Sequence, residues 1–186
     1  KMSEGLPPSV IAGFIRDYLT EMTDIIFSHG GTIDKYIGDA VMALFGAPLA
    51  NPDAAACAIR AALEMKEASR QMKPPKDGMG MLRVRFGINT GLLTVGNLGS
   101  ERRVEYTALG DTVNVASRLQ TFARPDEIVI SEMTHEKPGV QGNFTVEEIG
   151  SVDVKNRSQP VRVYKVHCLG SGPAGAAPVP PLTKVQ

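Results

Sequence analysis

Apolar positions recur along this chain with two different periods, and the change from one to the other lays out its elements. Val10, Ile11, Phe14, Ile15, Leu19, Met22, Ile25 and Ile26 fall at three- and four-residue steps, the single apolar face of an amphipathic helix. That helix opens at Pro7-Pro8-Ser9, where proline has no amide hydrogen to lose, and runs to about Ser28. Gly30-Gly31 supplies the stop. Two strand-forming runs then flank Gly38-Asp39 between Thr32 and Gly46, which predicts a tight hairpin. Asn51-Pro52-Asp53 starts a second helix that reaches about Met72, and its alanines from Ala54 to Ala62 allow close packing on a sheet.

After a Pro/Gly/Lys loop from Lys73 to Gly80, Leu82 to Asn89 alternates apolar with polar, as a half-buried strand does. Gly91 turns it into a glycine-rich strand, Leu92 to Gly99. Ser100 to Arg103 is a polar turn, and Val104 to Leu109 a short strand. Gly110-Asp111-Thr112 begins a helix to about Ala123, with Asp111 or Thr112 as its N-cap. Further strands are expected at Glu127–Ile130, Phe144–Ile149 and Val161–His167, with Lys155-Asn156-Arg157-Ser158 as the loop between the last two. From Gly170 the chain turns Gly/Ala/Pro-rich, which predicts a disordered tail or linker. The hairpins make the sheet largely antiparallel, so the class is α+β, with helices on one face and the other face left for another subunit.

Composition narrows the function classes. A chain of 186 residues suits one domain with a real core. Lys plus Arg and Asp plus Glu each count 20, giving zero formal net charge, which disfavours a non-specific nucleic-acid role. Cys57 and Cys168 have no metal-ligand spacing and suit a reducing compartment. No apolar run approaches the ~20 residues of a membrane span. No signal-peptide pattern follows Lys1-Met2-Ser3. A cytoplasmic, soluble piece of a longer protein is the expectation.

Two clusters carry candidate chemistry. Asp39 at the hairpin tip offers a carboxylate to a metal, with Lys35 four positions earlier. An aspartate after glycine also serves the turn itself. In the second cluster Asn114 and Arg118 lie four apart, so a helix puts them on one face. A neutral amide and a fixed cation projecting together can hold a ribose and a phosphate. The same pair on a solvated face needs no ligand.

The blocks Gly31-Thr32-Ile33-Asp34-Lys35-Tyr36-Ile37-Gly38-Asp39-Ala40-Val41-Met42-Ala43-Leu44-Phe45-Gly46 and Tyr106-Thr107-Ala108-Leu109-Gly110-Asp111-Thr112-Val113-Asn114-Val115-Ala116-Ser117-Arg118-Leu119 resemble the catalytic domain of a class III nucleotidyl cyclase. The likeness is strongest to bacterial adenylate cyclases. It extends over residues 1–168 and leaves 169–186 as the tail.

The resemblance implies a ferredoxin-like βαββαβ fold and a homodimer with sites shared between the two chains. It implies conversion of ATP to 3′,5′-cyclic AMP and pyrophosphate with two Mg²⁺ or Mn²⁺. Asp39 matches a metal-binding aspartate. Lys35 and Thr107 match the two base-reading positions: lysine suits the adenine N1, and a hydroxyl can accept from the adenine amino group. Asn114 matches the ribose-positioning residue, and Arg118 the cation that meets charge on the α-phosphate. Lys155 matches a lysine on the β- and γ-phosphates, although Asn156-Arg157 replaces the family's Gly-Lys. Arg102 or Arg103 is a further triphosphate contact or simply part of a polar turn.

Threonine at the second base-reading position goes with bicarbonate-responsive members, which makes bicarbonate a candidate activator. The family's first strand, with its other metal-binding aspartate, would precede Lys1, and Asp17, Asp24 and Asp34 do not replace it. A guanylate or relaxed-specificity cyclase, and a non-catalytic nucleotide-binding module, remain the alternatives.

Overall fold

A computed structural model of the protein describes residues 6–76, 79–100, 102–154 and 159–170. The predicted loop 155–158 and the tail from 171 onward lie outside the described residues.

Helix α1 (Pro8–Ser28) starts with proline in its first turn. It presents Tyr18, Met22, Ile25 and Ile26 to the core, four of the positions that share its interior face or border it. Strands β1 (Gly31–Ile37) and β2 (Ala40–Phe45) form the expected antiparallel hairpin, closed at Gly38-Asp39 between the paired Ile37 and Ala40. Gly38 has φ 65°, the positive value that a two-residue hairpin asks of glycine. Helix α2 (Ala54–Gln71) buries most of its alanines and Ile59.

The strand expected over residues 82–89 is only three residues long, β3 (Phe86–Ile88). Burial alternates over a longer stretch, but only Phe86, Gly87 and Ile88 find ladder partners, in the parallel strand β6 (Ile128–Ser131). Strands β4 (Thr94–Ser100) and β5 (Arg103–Leu109) make a separate antiparallel ribbon. Helix α3 (Asp111–Phe122) follows, and its N-cap is Gly110, not Asp111 or Thr112. The Thr112 hydroxyl instead donates to the Leu92 carbonyl at 2.6 Å, tying the helix start to the preceding loop.

A one-turn helix α4 (Glu132–His135) was not expected from the sequence. It is too short to show a period, and its signal is Ser131, whose hydroxyl accepts from the Thr134 amide at 3.3 Å. Strands β7 (Phe144–Val152) and β8 (Val161–Leu169) complete a four-stranded sheet of order β3-β6-β8-β7.

The architecture is α+β, and four of the five strand pairings are antiparallel. Helices cover both faces of the four-stranded sheet, not one. Ile128 and Ile130 of β6 pack with residues of α1 and α2 such as Met22 and Ile59, whereas Val129 packs with Val115 and Leu119 of α3. A strand buried on both sides reads as a continuous apolar run, and Ile128-Val129-Ile130 is one. The strands form three sheets among the described residues, and β2 and β3 are each at the edge of theirs. A groove of about 690 Å³ separates those edges, lined by Val41, Ala43, Phe86, Ile88 and Asn114 among others.

Candidate functional site

The hairpin and the ribbon meet at their polar residues. Lys35 Nζ on β1 donates to Thr107 Oγ1 on β5 at 2.6 Å, across 72 positions of sequence. The two base-reading candidates, taken from separate blocks, are therefore neighbours in one chain. Beneath them lies Asp34, whose side chain is 1% exposed. Its carboxylate pairs with Lys35 Nζ at 3.2 Å, accepts from the Thr107 hydroxyl at 3.0 Å and accepts from the Ala108 amide at 3.0 Å. A buried charge is tolerable only when paired and hydrogen-bonded, and Asp34 is both.

Strand geometry alone would send Asp34 and Lys35 to opposite faces. The ladder slips at this point: Ile33 pairs with Ala43 and Lys35 with Met42, which leaves Asp34 as an extra residue in β1. Such a bulge re-aims a side chain. Here it brings both charged groups to Thr107. Sequence reasoning treated Asp34 only as an unsuitable metal ligand. Its adjacency to Lys35 was visible, but the bulge that makes the adjacency matter was not.

Helix α3 carries the next two candidates. Its interior face is Thr112, Val115 and Leu119, so Asn114 and Arg118, four apart, fall on the exposed side. Asn114 also lines the groove between β2 and β3. Asp39 stands exposed at the tip of the hairpin and makes no hydrogen bond or ion pair among the described residues. It does have an electrostatic neighbour: burial pushes the Tyr18 hydroxyl up to about 12, and the Asp39 carboxylate adds to the rise. Arg102 is exposed in the turn between β4 and β5. Lys155 is outside the described residues.

The donor set does not amount to a metal cage within one chain. Hard divalent cations want several oxygen ligands, and no three Asp, Glu, His or Cys side chains converge among the described residues. Asp39 offers a single carboxylate.

Comparisons with known proteins give the family and the fold. The family described as the adenylate and guanylate cyclase catalytic domain matches residues 1–168. An adenylate cyclase of Anabaena cylindrica is 37% identical over 174 residues, covering 89% of this chain and 34% of that protein. The chain thus spans about a third of the length of that curated relative. The crystal structure of the adenylyl cyclase CyaB from P. aeruginosa superposes with a TM-score of 0.82 at 36% identity, covering 89% of this chain and 86% of that one. The guanylate cyclase domain of RhGC from Catenaria anguillulae, solved with GTP, gives 0.81 at 28% identity, covering 90% and 88%.

Proposed function

We propose that this chain, which belongs to the adenylate and guanylate cyclase catalytic domain family, forms 3′,5′-cyclic AMP and pyrophosphate from ATP. The observation that carries the choice of base is the contact between Lys35 and Thr107. A lysine donates to the unprotonated N1 of adenine, whereas guanine carries a hydrogen there. A threonine oxygen accepts from the 6-amino group, whereas guanine presents a carbonyl. The relatives of similar fold include a structure with GTP, so the fold does not select the base and these side chains must.

In the reaction the ribose 3′-oxygen forms a bond to the α-phosphorus as the bond from that phosphorus to the β-bridging oxygen breaks. The hydroxyl proton leaves to solvent, and pyrophosphate departs. Asn114 holds the ribose in line, because only an aligned oxygen reaches the phosphorus. Arg118 meets the charge that builds on the α-phosphate; its guanidinium stays ionised and matches phosphate oxygens with a planar fork. Arg102 and Lys155 are assigned to the remaining phosphates. Two Mg²⁺ or Mn²⁺ belong to this reading with Asp39 as one ligand, although the carboxylates described in a single chain do not complete such a site.

The working unit we propose is a homodimer in which Asp39 of one copy faces Lys35, Thr107, Asn114 and Arg118 of the other. Val104 and Tyr106 support this: as alternate residues of β5 they share one face of the strand, and they are 58% and 50% exposed, apolar side chains that a second copy would cover. The edges of β2 and β3 that bound the groove have no ladder partner among the described residues, which would suit a further strand there. Bicarbonate as an activator, and a cytoplasmic location, are proposed on the resemblance alone. No described helix is long and apolar enough to cross a membrane.

Initial rates with ATP and with GTP, for the protein containing this chain, test the assignment. A clear excess of cyclic AMP formation is expected. Equal turnover of the two nucleotides would refute the adenine reading, and binding without any turnover would favour a non-catalytic module.

A further inference from the structure

We infer that Asp34 is the residue that fixes which base the site accepts, by fixing the polarity of the Thr107 hydroxyl. The inference rests on the proposed cyclase reading and adds to it a positioning residue that never touches the nucleotide. A threonine hydroxyl by itself is ambivalent: it has one hydrogen to give and two lone pairs. It could accept from the amino group of adenine or donate to the carbonyl of guanine. The structure removes that freedom. Thr107 Oγ1 donates its one hydrogen to Asp34 Oδ2 at 3.0 Å. One lone pair takes the Lys35 ammonium at 2.6 Å. What remains for a base is a single acceptor, which suits an exocyclic amino group and repels a carbonyl oxygen.

The same carboxylate orders Lys35. The Lys35 ammonium gives one hydrogen to Thr107 and stands 3.2 Å from Asp34 Oδ2 as an ion pair, which leaves it donor capacity for a base nitrogen. Asp34 is itself held by the Ala108 amide and by its bulged position in β1, so its oxygens do not turn with the ligand. An ionised carboxylate accepts only, so it cannot return a hydrogen to Thr107. Selectivity then follows from a buried acid one layer behind the reading edge, because a mismatched acceptor pair in a desolvated site is costly.

The test is the ratio of kcat/KM for ATP to that for GTP in the full protein, with folding of each variant checked by Tm. Asp34→Asn keeps the shape but can offer its amide hydrogens to Thr107, which frees the hydroxyl to donate. The expected result is a fall of about tenfold or more in the ratio, equivalent to one good hydrogen bond. In a Thr107→Val background the same change should leave the ratio where Thr107→Val alone puts it. A residue that only supports the fold would lower both rates together and leave the ratio unmoved.

If Asp34→Asn does not fold, Thr107→Asn carries the test. The Asp34 carboxylate should draw its amide hydrogens and leave the carbonyl to the base, so the preference for ATP is kept, whereas Thr107→Val loses it. Folded Asp34→Asn with wild-type selectivity, or Thr107→Asn with none, overturns the inference alone. Wild-type protein that shows no preference for ATP removes the cyclase reading of the base site as well.

Discussion

Arg118 stands on the exposed side of α3 with no ion pair among the described residues. Arg118→Ala should lower kcat by about 10²-fold or more with a much smaller change in KM, the usual consequence of removing a donor that acts on developing charge. Arg118→Lys should recover only part of the loss, because an ammonium lacks the planar fork. Steady-state kinetics of the two variants checks this. A loss confined to KM would instead make Arg118 a ground-state phosphate contact. At the neighbouring scale of single groups, Tyr18 links the hairpin tip to folding. Its hydroxyl is shifted from 10.0 to about 12 in the folded protein, so the unfolded chain ionises first as pH rises. The contribution is complete below pH 10 and disappears by about pH 12, an effect of ~2–3 kcal/mol. Denaturant titrations across that range should show the slope, and Tyr18→Phe should flatten it.

Among the elements, α3 depends most on a close approach. A Cβ on Gly87 of β3 would fall on the backbone of Ala116 and Gln120 in α3, where no side chain can swing aside. Gly87→Ala therefore has to push the helix off the strand. A loss of about 1–3 kcal/mol is expected, the range for overpacking a tight core. Because α3 also carries Asn114 and Arg118, activity should fall further than stability alone explains. Thermal unfolding and rates measured well below Tm separate the two effects. Unchanged activity at a lowered Tm would show that the helix can shift without disturbing its exposed side. The hairpin depends on a different device: its bulge at Asp34 sets the direction of two side chains at once.

For the whole molecule, the proposed dimer predicts complementation. If each site draws Asp39 from one copy and Arg118 from the other, Asp39→Ala and Arg118→Ala are each inactive alone. Their mixture contains mixed dimers in which one of the two sites keeps both residues. Random exchange in a two-fold dimer gives roughly a quarter of wild-type activity. Absence of any recovery after subunit exchange, verified by mass spectrometry, would place both residues in the same site or in none.

The sequence by itself determined the elements that are long or locally coded. Three- and four-residue spacing of apolar positions marked α1, alanine richness marked α2, and Gly38-Asp39 marked the hairpin. It also displayed every residue of the candidate site, since residue type and order survive in a string of letters. Contacts between distant segments decided the rest. Only folding brings Lys35 and Thr107 together across 72 positions and turns Asp34 inward through a slipped ladder. Only folding puts helices on both sides of β6 and limits β3 to the three residues that meet a parallel partner. Local periodicity records which faces are apolar; it does not record what those faces meet, because a pairing register is a property of two segments at once.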